Sequence, residues 1–296
     1  MNKTILVTGA SGQLGMEMQQ VAHRYPGFHF VFTTRKEMPL DDLAAIGQTI
    51  GEYKPAYVVN CAAYTAVDKA ETEKELAFQI NAEAAGVLAR SCKTNNTQLI
   101  HISTDYVFKG DGNRPYTEDD PTDAVNLYGE SKLQGEHKVL HEDPSSIIIR
   151  TAWVYSAFGK NFVKTMLRLM AEKEQINVVS DQYGTPTYAA DLAEAIMTII
   201  TMIADANMPA GTNGYGGIYH FSNEGSISWF DFAVAIRDLS ASNCLVNPIP
   251  TSQYPTPARR PAYSVLDKSK IRKTFGVIPK DWEASLANCL KQIQKT

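Results

Sequence analysis

No apolar run in the chain approaches the ~20 residues that a membrane-spanning helix needs, so a helical membrane protein is excluded. Cysteine is scarce. Cys61, Cys92, Cys244 and Cys289 are scattered, with no CxxC and no nearby pair of histidines. That usage fits reduced, mostly buried thiols better than a disulfide framework or a thiolate metal site. Nor is there an excess of either charge. A formal net charge of −4 argues against nucleic acid as the main partner. Repeats, low-complexity tracts and long linkers are all missing, and no signal peptide is expected before Thr4. A soluble cytoplasmic protein is therefore expected.

What is present is an alternation of short β-branched runs and helical patterns over 296 residues, long enough for one large domain or two interleaved ones. Strands are expected at Thr4–Thr8, Phe28–Thr33, Ala56–Asn60, Gln98–Ser103 and Ser146–Arg150. Helical patterns lie between them at about Leu14–Tyr25, Asp41–Tyr53, Glu71–Cys92 and Tyr128–Leu140. The fold class is α/β, a Rossmann-type doubly wound parallel sheet with helices on both faces. After about Thr151 the alternation weakens. Helices at Phe162–Glu172, Asp191–Ile203, Ser228–Leu239 and from Trp282 are separated by a Gly/Asn/Pro-rich loop (204–217) and a Pro-rich stretch (248–261). The expected division is a dinucleotide-binding domain over 1–155 and a mainly substrate-binding portion over 156–296, with some segments returning to the sheet. Ligands of such sheets sit at the carboxyl ends of strands, where Gly9, Asn60, Ser103, Thr104 and Thr151 fall.

Between the first strand and first helix, Gly9, Gly12 and Gly15 make a GxxGxxG loop. Glycines there permit a tight turn and close approach of backbone to a pyrophosphate resting on the helix N-terminus. The bland alternative, three unrelated turn glycines, fits this position poorly. At the end of the second strand an acidic residue would hold the ribose of NAD. The segment Phe32-Thr33-Thr34-Arg35-Lys36 has none before Glu37. Arg35 and the threonine hydroxyls suit a 2′-phosphate, so NADPH is expected ahead of NADH; otherwise Arg35 is a solvated surface charge.

Tyr128 and Lys132 are four residues apart on a predicted helix and so share a face, with Thr104 about 25 residues upstream. A cation beside a phenol favours the phenolate and draws its pKa down from about 10 toward a working range. With a hydroxyl to bond a substrate oxygen, this is the equipment of a carbonyl reductase. Alone, such a spacing could arise by chance among 14 tyrosines and 28 basic residues.

These residues, in this order, resemble the extended short-chain dehydrogenase/reductase superfamily. Asn60-Cys61-Ala62-Ala63-Tyr64-Thr65-Ala66-Val67-Asp68-Lys69-Ala70-Glu71, Ser103–Phe108 and Arg150–Tyr155 narrow the resemblance to the dTDP-4-dehydrorhamnose reductase family. Gly159–Phe162, Asp181–Thr187 and Pro255–Pro261 extend it to nearly the whole chain. The resemblance implies reduction of the 4-keto group of dTDP-4-dehydro-β-L-rhamnose. Tyr128 would donate the proton, Lys132 would bind the nicotinamide ribose and keep the Tyr128 pKa low, and Thr104 would bond the sugar oxygen. By the same resemblance Asp105 and Trp153 contact the sugar nucleotide, Gly12-Gln13-Leu14 and Ala62-Ala63-Tyr64-Thr65 line the cofactor, and Leu40 lies near the adenine. It also implies a homodimer, and in some relatives a Mg2+ at a dimer contact near the position of Glu17. Here Ala190 stands where a second carboxylate would be wanted.

Several residues keep two readings. Trp153 is a core residue or a sugar platform. Asp68 and Glu71 either touch substrate or favour a helix N-terminus. Arg259 and Arg260 pair with a diphosphate or are loop charges. His101 and His220 read as satisfied core histidines, and Met166, Leu167, Leu169 and Met170 as core or interface packing. Three other functions are weighed. A 4,6-dehydratase needs a second carboxylate after Asp105, where Tyr106 stands. A 4-epimerase is not excluded by spacing. A regulatory subunit like that of methionine adenosyltransferase would bind the cofactor without turnover, and intact Thr104, Tyr128 and Lys132 argue for an enzyme instead.

Overall fold

The structure is a computed structural model that describes residues 3–206 and 214–295. Strands β1 (Lys3–Thr8), β2 (Phe28–Thr33), β3 (Tyr57–Asn60), β4 (Gln98–Thr104) and β5 (Ile147–Thr151) form, with β10 (Gly217–His220), one parallel sheet in the order β10-β5-β4-β3-β1-β2. The five strands expected from composition are all present. The sixth, β10, pairs with β5 from Gly217↔Ile147 to His220↔Arg150. It carries no alternation of its own that would mark it in sequence, because it is a short strand beside a fully buried neighbour.

β1 lies between β2 and β3, so the winding reverses there and a crevice opens at the strand ends. One face of the sheet is covered by α1 (Gln13–Ala22) and α8 (Ala189–Asp205), whose Leu14, Met18, Ile196 and Ile200 pack on Ile5 and Val7. The other face carries α2 (Leu43–Tyr53), α5 (Ala84–Thr94) and α6 (Leu127–Glu142), with Ile46, Leu88 and Val139 around Leu6, Val58 and Leu99.

The helix expected over Glu71–Cys92 is not continuous. A separate short α3 (Val67–Ala70) precedes it, and the expected span itself is broken into α4 (Lys74–Phe78), a π-helical turn (Gln79–Glu83) and α5. A π turn inserts a residue into the ladder and frequently marks a functional site.

The second half has its own core. α7 (Phe162–Glu172), α9 (Trp229–Leu239) and α11 (Trp282–Ile293) enclose Val163, Met166, Met170, Phe232 and Leu286. The methionine cluster is therefore core. Around it run four two-residue strands and a further pair. β6 (Val154–Tyr155) pairs with β9 (Thr187–Tyr188), β8 (Tyr183–Gly184) with β11 (Ile227–Ser228), and β7 (Gln175–Val179) with β12 (Leu245–Ile249). A short α10 (Ser269–Phe275) returns to the first core through Ile271 and Phe275. The Gly/Asn/Pro-rich loop expected over 204–217 falls partly on 207–213, outside the described residues. Among the described residues no helix is long and apolar enough to cross a membrane.

Candidate active site

The phosphate loop is built by backbone contacts that leave no room for side chains. Gly9 has φ +66°, and a Cβ there would lie 2.8 Å from the Ala62 nitrogen. A Cβ on Gly15 would lie 2.3 Å from the Gly9 carbonyl oxygen. The first turn of α1 packs directly on the loop for that reason, and Gly12 at its N-cap brings no side chain to bond the free N–H groups. These features fit a pyrophosphate. Across the crevice, Thr8 Oγ1 donates to Asn60 Oδ1 at 2.6 Å and accepts from the Ala62 N–H at 3.3 Å, fixing β1 to the segment Ala62-Ala63-Tyr64-Thr65. Gln13 bridges to the second half: Asn161 Nδ2 donates to its Oε1 at 2.9 Å. Leu14 and Leu40 are buried in the two cores flanking the sheet, Leu40 beside Met38.

At the end of β2, Arg35 pairs with Asp41 at 2.5 Å on the surface. The Thr34 N–H and hydroxyl both bond the Glu37 carboxylate, so this threonine, expected to help hold a phosphate, is engaged within its own turn. Arg35 remains exposed, and a surface pair of this kind is worth only ~0–1 kcal/mol.

The structure brings Thr104, Asp105, Tyr106 and Tyr128 together where β4 ends and α6 begins. Asn126 caps α6 by accepting from the Gly129 N–H at 2.8 Å, so Tyr128 and Lys132 lie on its first turns. The Thr104 hydroxyl faces the Tyr128 phenol and donates to Asp105 Oδ1 at 3.1 Å. Tyr106 stands edge-on to Tyr128, ring centroids 5.8 Å apart.

One expectation is corrected here. Tyr128 is pushed up to about 12, because burial outweighs the Thr104 bond and Asp105 adds to the rise. Lys132 does not draw the phenol down. Its Nζ donates to the Ile102 carbonyl at 2.6 Å, and burial lowers its own pKa to about 8, with Glu136 opposing. The phenol is thus held protonated, the form that gives a proton away. Burial also raises Asp105 to about 7, and its Oδ2 has no hydrogen-bond partner among the described residues.

Beneath these residues lie groups that the sequence reading missed. Asn81, on the π turn, accepts from the Tyr64 N–H at 2.9 Å and donates to the Tyr64 carbonyl and to Ser131 Oγ, each at 3.0 Å. It clamps the Ala62–Thr65 segment to α6. The break in the 3.6-residue pattern between Glu71 and Cys92 was the only signal for it. On the same helix Glu136 forms a buried bidentate pair with Arg150.

Trp153, just past β5, has φ +47°, a conformation strained for a bulky residue. It is held there by stacking on Trp229 with ring centroids 3.5 Å apart, and by Gly184, where a Cβ would meet the indole at 2.6 Å. Ser264 Oγ lies 2.9 Å from that same Cβ position and also acts on the Asp105 carboxyl, so Trp153 and Asp105 are neighbours through Ser264. Ser264 sits in a featureless stretch and gave no sequence signal.

Asp68, Glu71 and Arg260 are committed within the protein. Arg260 makes a bidentate pair with Asp68 at 2.6 and 2.8 Å, which holds the carboxylate below its ordinary range. Glu71 accepts from the Leu127 N–H at 2.9 Å. Arg259 is exposed, its carbonyl bonded by Asn126 Nδ2 at 2.8 Å. The Pro-rich strap is thereby fastened over the start of α6. His101 and His220 are core residues as expected, each with one ring nitrogen bonded, to Asn60 and to the Tyr116 carbonyl. Contrary to the expectation, neither is fully satisfied: both Nε2 atoms lack a hydrogen-bond partner among the described residues.

The residues near Glu17 do not fit a divalent cation. Glu17 is buried, accepts from Ser156 Oγ at 2.7 Å, and is raised by desolvation toward its neutral form. Ala190 offers no donor. The adjacent Asp191 is taken by Lys280 at 2.7 Å, Asn223 at 2.9 Å and Ser285. No group of three or more His, Cys, Asp or Glu suited to a metal exists among the described residues.

The family model described as RmlD substrate binding domain matches residues 2–295. The dTDP-4-dehydrorhamnose reductase of Aggregatibacter actinomycetemcomitans is 39% identical over 290 residues, 96% of this chain and 97% of that protein. A solved dTDP-4-dehydrorhamnose reductase from Clostridium acetobutylicum superposes with TM-score 0.90 at 38% identity, covering 98% of this chain and 99% of the other. Another from Bacillus anthracis, in complex with NADP, gives TM-score 0.89 at 36% identity, covering 99% and 100%. With the glycine cradle, the strand-end hydroxyl and the Tyr/Lys helix all in place, the chain belongs to the dTDP-4-dehydrorhamnose reductase family.

Proposed function

We propose that this protein uses NADPH to reduce the 4-keto group of dTDP-4-dehydro-β-L-rhamnose, giving dTDP-β-L-rhamnose. The observation that carries the reading is that Thr104, at the carboxyl end of β4, and Tyr128, on the first turn of α6, come together with Lys132 buried one turn further along that helix, on the sheet whose first strand ends in the glycine loop.

NADPH, when bound, supplies the hydride that adds to the carbonyl carbon. The residues to hold it are the backbone of Gly9, Gly12, Gln13, Leu14 and Gly15 at the pyrophosphate, Arg35 at the 2′-phosphate, Ala62–Thr65 along the crevice, and Leu40 beneath the adenine. Lys132, cationic below about pH 8, binds the nicotinamide ribose. Tyr128 gives its proton to the oxygen that gains charge as the carbonyl is reduced. Thr104 bonds the same oxygen and orients the phenol, so the proton crosses a fixed distance. Asp105 and Trp153 take the sugar, Trp153 as an apolar platform locked by Trp229 and Gly184.

In this reading 1–155 serves the cofactor and 156–296 mainly the sugar nucleotide, with β10 returning to the sheet. A cytoplasmic homodimer belongs to the same reading, the dimer being tested by light scattering after size exclusion.

The test is NADPH oxidation at 340 nm. Absorbance is expected to fall with the 4-keto-rhamnose nucleotide and not without it. Tight NADPH binding with no oxidation would instead favour the non-catalytic, regulatory reading.

A further inference from the structure

The helix that carries Tyr128 and Lys132 continues into a charge pair that the reaction above does not use. Glu136 lies one turn beyond Lys132 on the same face of α6 and is 1% exposed. Its carboxylate accepts three hydrogen bonds: from Ser103 Oγ at 2.5 Å, from Arg150 Nε at 2.9 Å and from a terminal Arg150 nitrogen at 2.7 Å. Ser103 and Arg150 are register partners on β4 and β5. The Arg150 guanidinium lies 5.0 Å from the Phe108 ring centroid, out of water. A buried ion pair is weak evidence for stability, since apolar side chains of similar volume usually serve as well. Its placement needs another reason.

Lys132 is 2% exposed, and a buried ammonium tends to lose its proton. The groups around it are few. On β4, His101 is kept neutral by burial and by the ammonium itself. At the end of β4, Asp105 and Tyr106 face Tyr128. On the elements packed along α6, Glu71 bonds the Leu127 N–H, Asp68 pairs with Arg260, and Glu83 pairs with Lys138. Arg90 and Lys93 of α5 bond Glu142 at the far end of the helix. Glu136 is the anion that acts on Lys132. Arg150 and Ser103 hold that carboxylate in one rotamer.

We propose that Glu136, clamped by Arg150 and Ser103 one turn along the same buried face of α6, is a positioning residue that keeps the Lys132 side chain cationic for the reductase reaction. The proposal rests on the reading of Tyr128 and Lys132 as the reductase pair. It also explains why the clamp is made of a strong acceptor and a guanidinium: the fork fixes both carboxylate oxygens, leaving the charge in one position relative to Lys132.

The test is the pH profile of kcat. Glu136→Gln keeps the shape and removes the charge, so the alkaline limb moves to lower pH by about one unit. Turnover then falls roughly tenfold at pH 8.5 and stays near wild type at pH 6.5. Glu136→Asp retains the anion and restores most of the limb. Because Glu136→Gln strands Arg150, Glu136→Gln/Arg150→Met removes both buried charges and recovers folding; its alkaline limb remains displaced. Either folded variant decides. A limb that coincides with wild type in a folded variant lacking the Glu136 charge overturns the proposal. Wild-type enzyme failing to oxidise NADPH would instead overturn the reductase reading itself, so the two failures are distinct.

Discussion

The two ends of the cleft are built by different means. At the cofactor end the chain works with backbone: Gly9 in the left-handed region, Gly15 pressed on the Gly9 carbonyl, and helix N–H groups left without a side-chain cap. At the end proposed for the sugar it works with side chains gathered from remote segments, Trp153 against Trp229 and Gly184, and Asp68 with Arg260. A backbone site depends on what is missing from a few consecutive positions. A side-chain site depends on what several loops bring, and so can be altered one contact at a time.

This contrast leads to separable defects. The largest is expected at the junction of the two ends. Tyr128→Phe deletes one proton and little volume, so kcat falls by about 10²–10⁴ while the NADPH Kd is unchanged, as measured by stopped-flow turnover and fluorescence titration. A variant that keeps near-normal turnover removes Tyr128 from the acid role. Next comes the cofactor end alone. Gly15→Ala forces a methyl onto the Gly9 carbonyl, and the ~1–3 kcal/mol cost of overpacking appears as roughly 10- to 100-fold weaker NADPH binding. Equal losses in sugar-nucleotide binding, measured by calorimetry, would show that the ends are not separable. Smaller again is Arg35→Ser, which lowers the NADPH-to-NADH ratio of kcat/KM by about fivefold, the scale of one exposed charge contact. An unchanged ratio would make Arg35 a surface charge paired only with Asp41. Last, chelation with EDTA leaves kcat and Tm unchanged, since Glu17 and Asp191 already have partners inside the protein.

The same contrast decides what could be read from the sequence. The glycine loop, the five strands and the Tyr128/Lys132 face were readable because each is local: a turn, a run or a four-residue spacing. β10 was not, because four residues acquire strand character only from β5 beside them. The Asn81 clamp was hidden in a pattern read as one long helix; the π turn that aims it breaks the period without any proline or glycine at the break. Arg260 illustrates a different gap. Its residue type suited a diphosphate, yet its partner is Asp68, 192 positions away in the chain. The direction of the Tyr128 shift also needed the structure, because spacing places a lysine on the same face but does not say that its ammonium ends on the Ile102 carbonyl.

The central claim is that Tyr128 protonates an oxygen at the carbon that receives the hydride. It is tested most directly by running the reaction with NADPH deuterated at the transferable position and reading the product by NMR. dTDP-L-rhamnose carrying deuterium at C4 from the wild type, with about 10²- to 10⁴-fold less formed by Tyr128→Phe in the same time, is the expected result. Recovery of the C4 epimer, or of product without label, would contradict it.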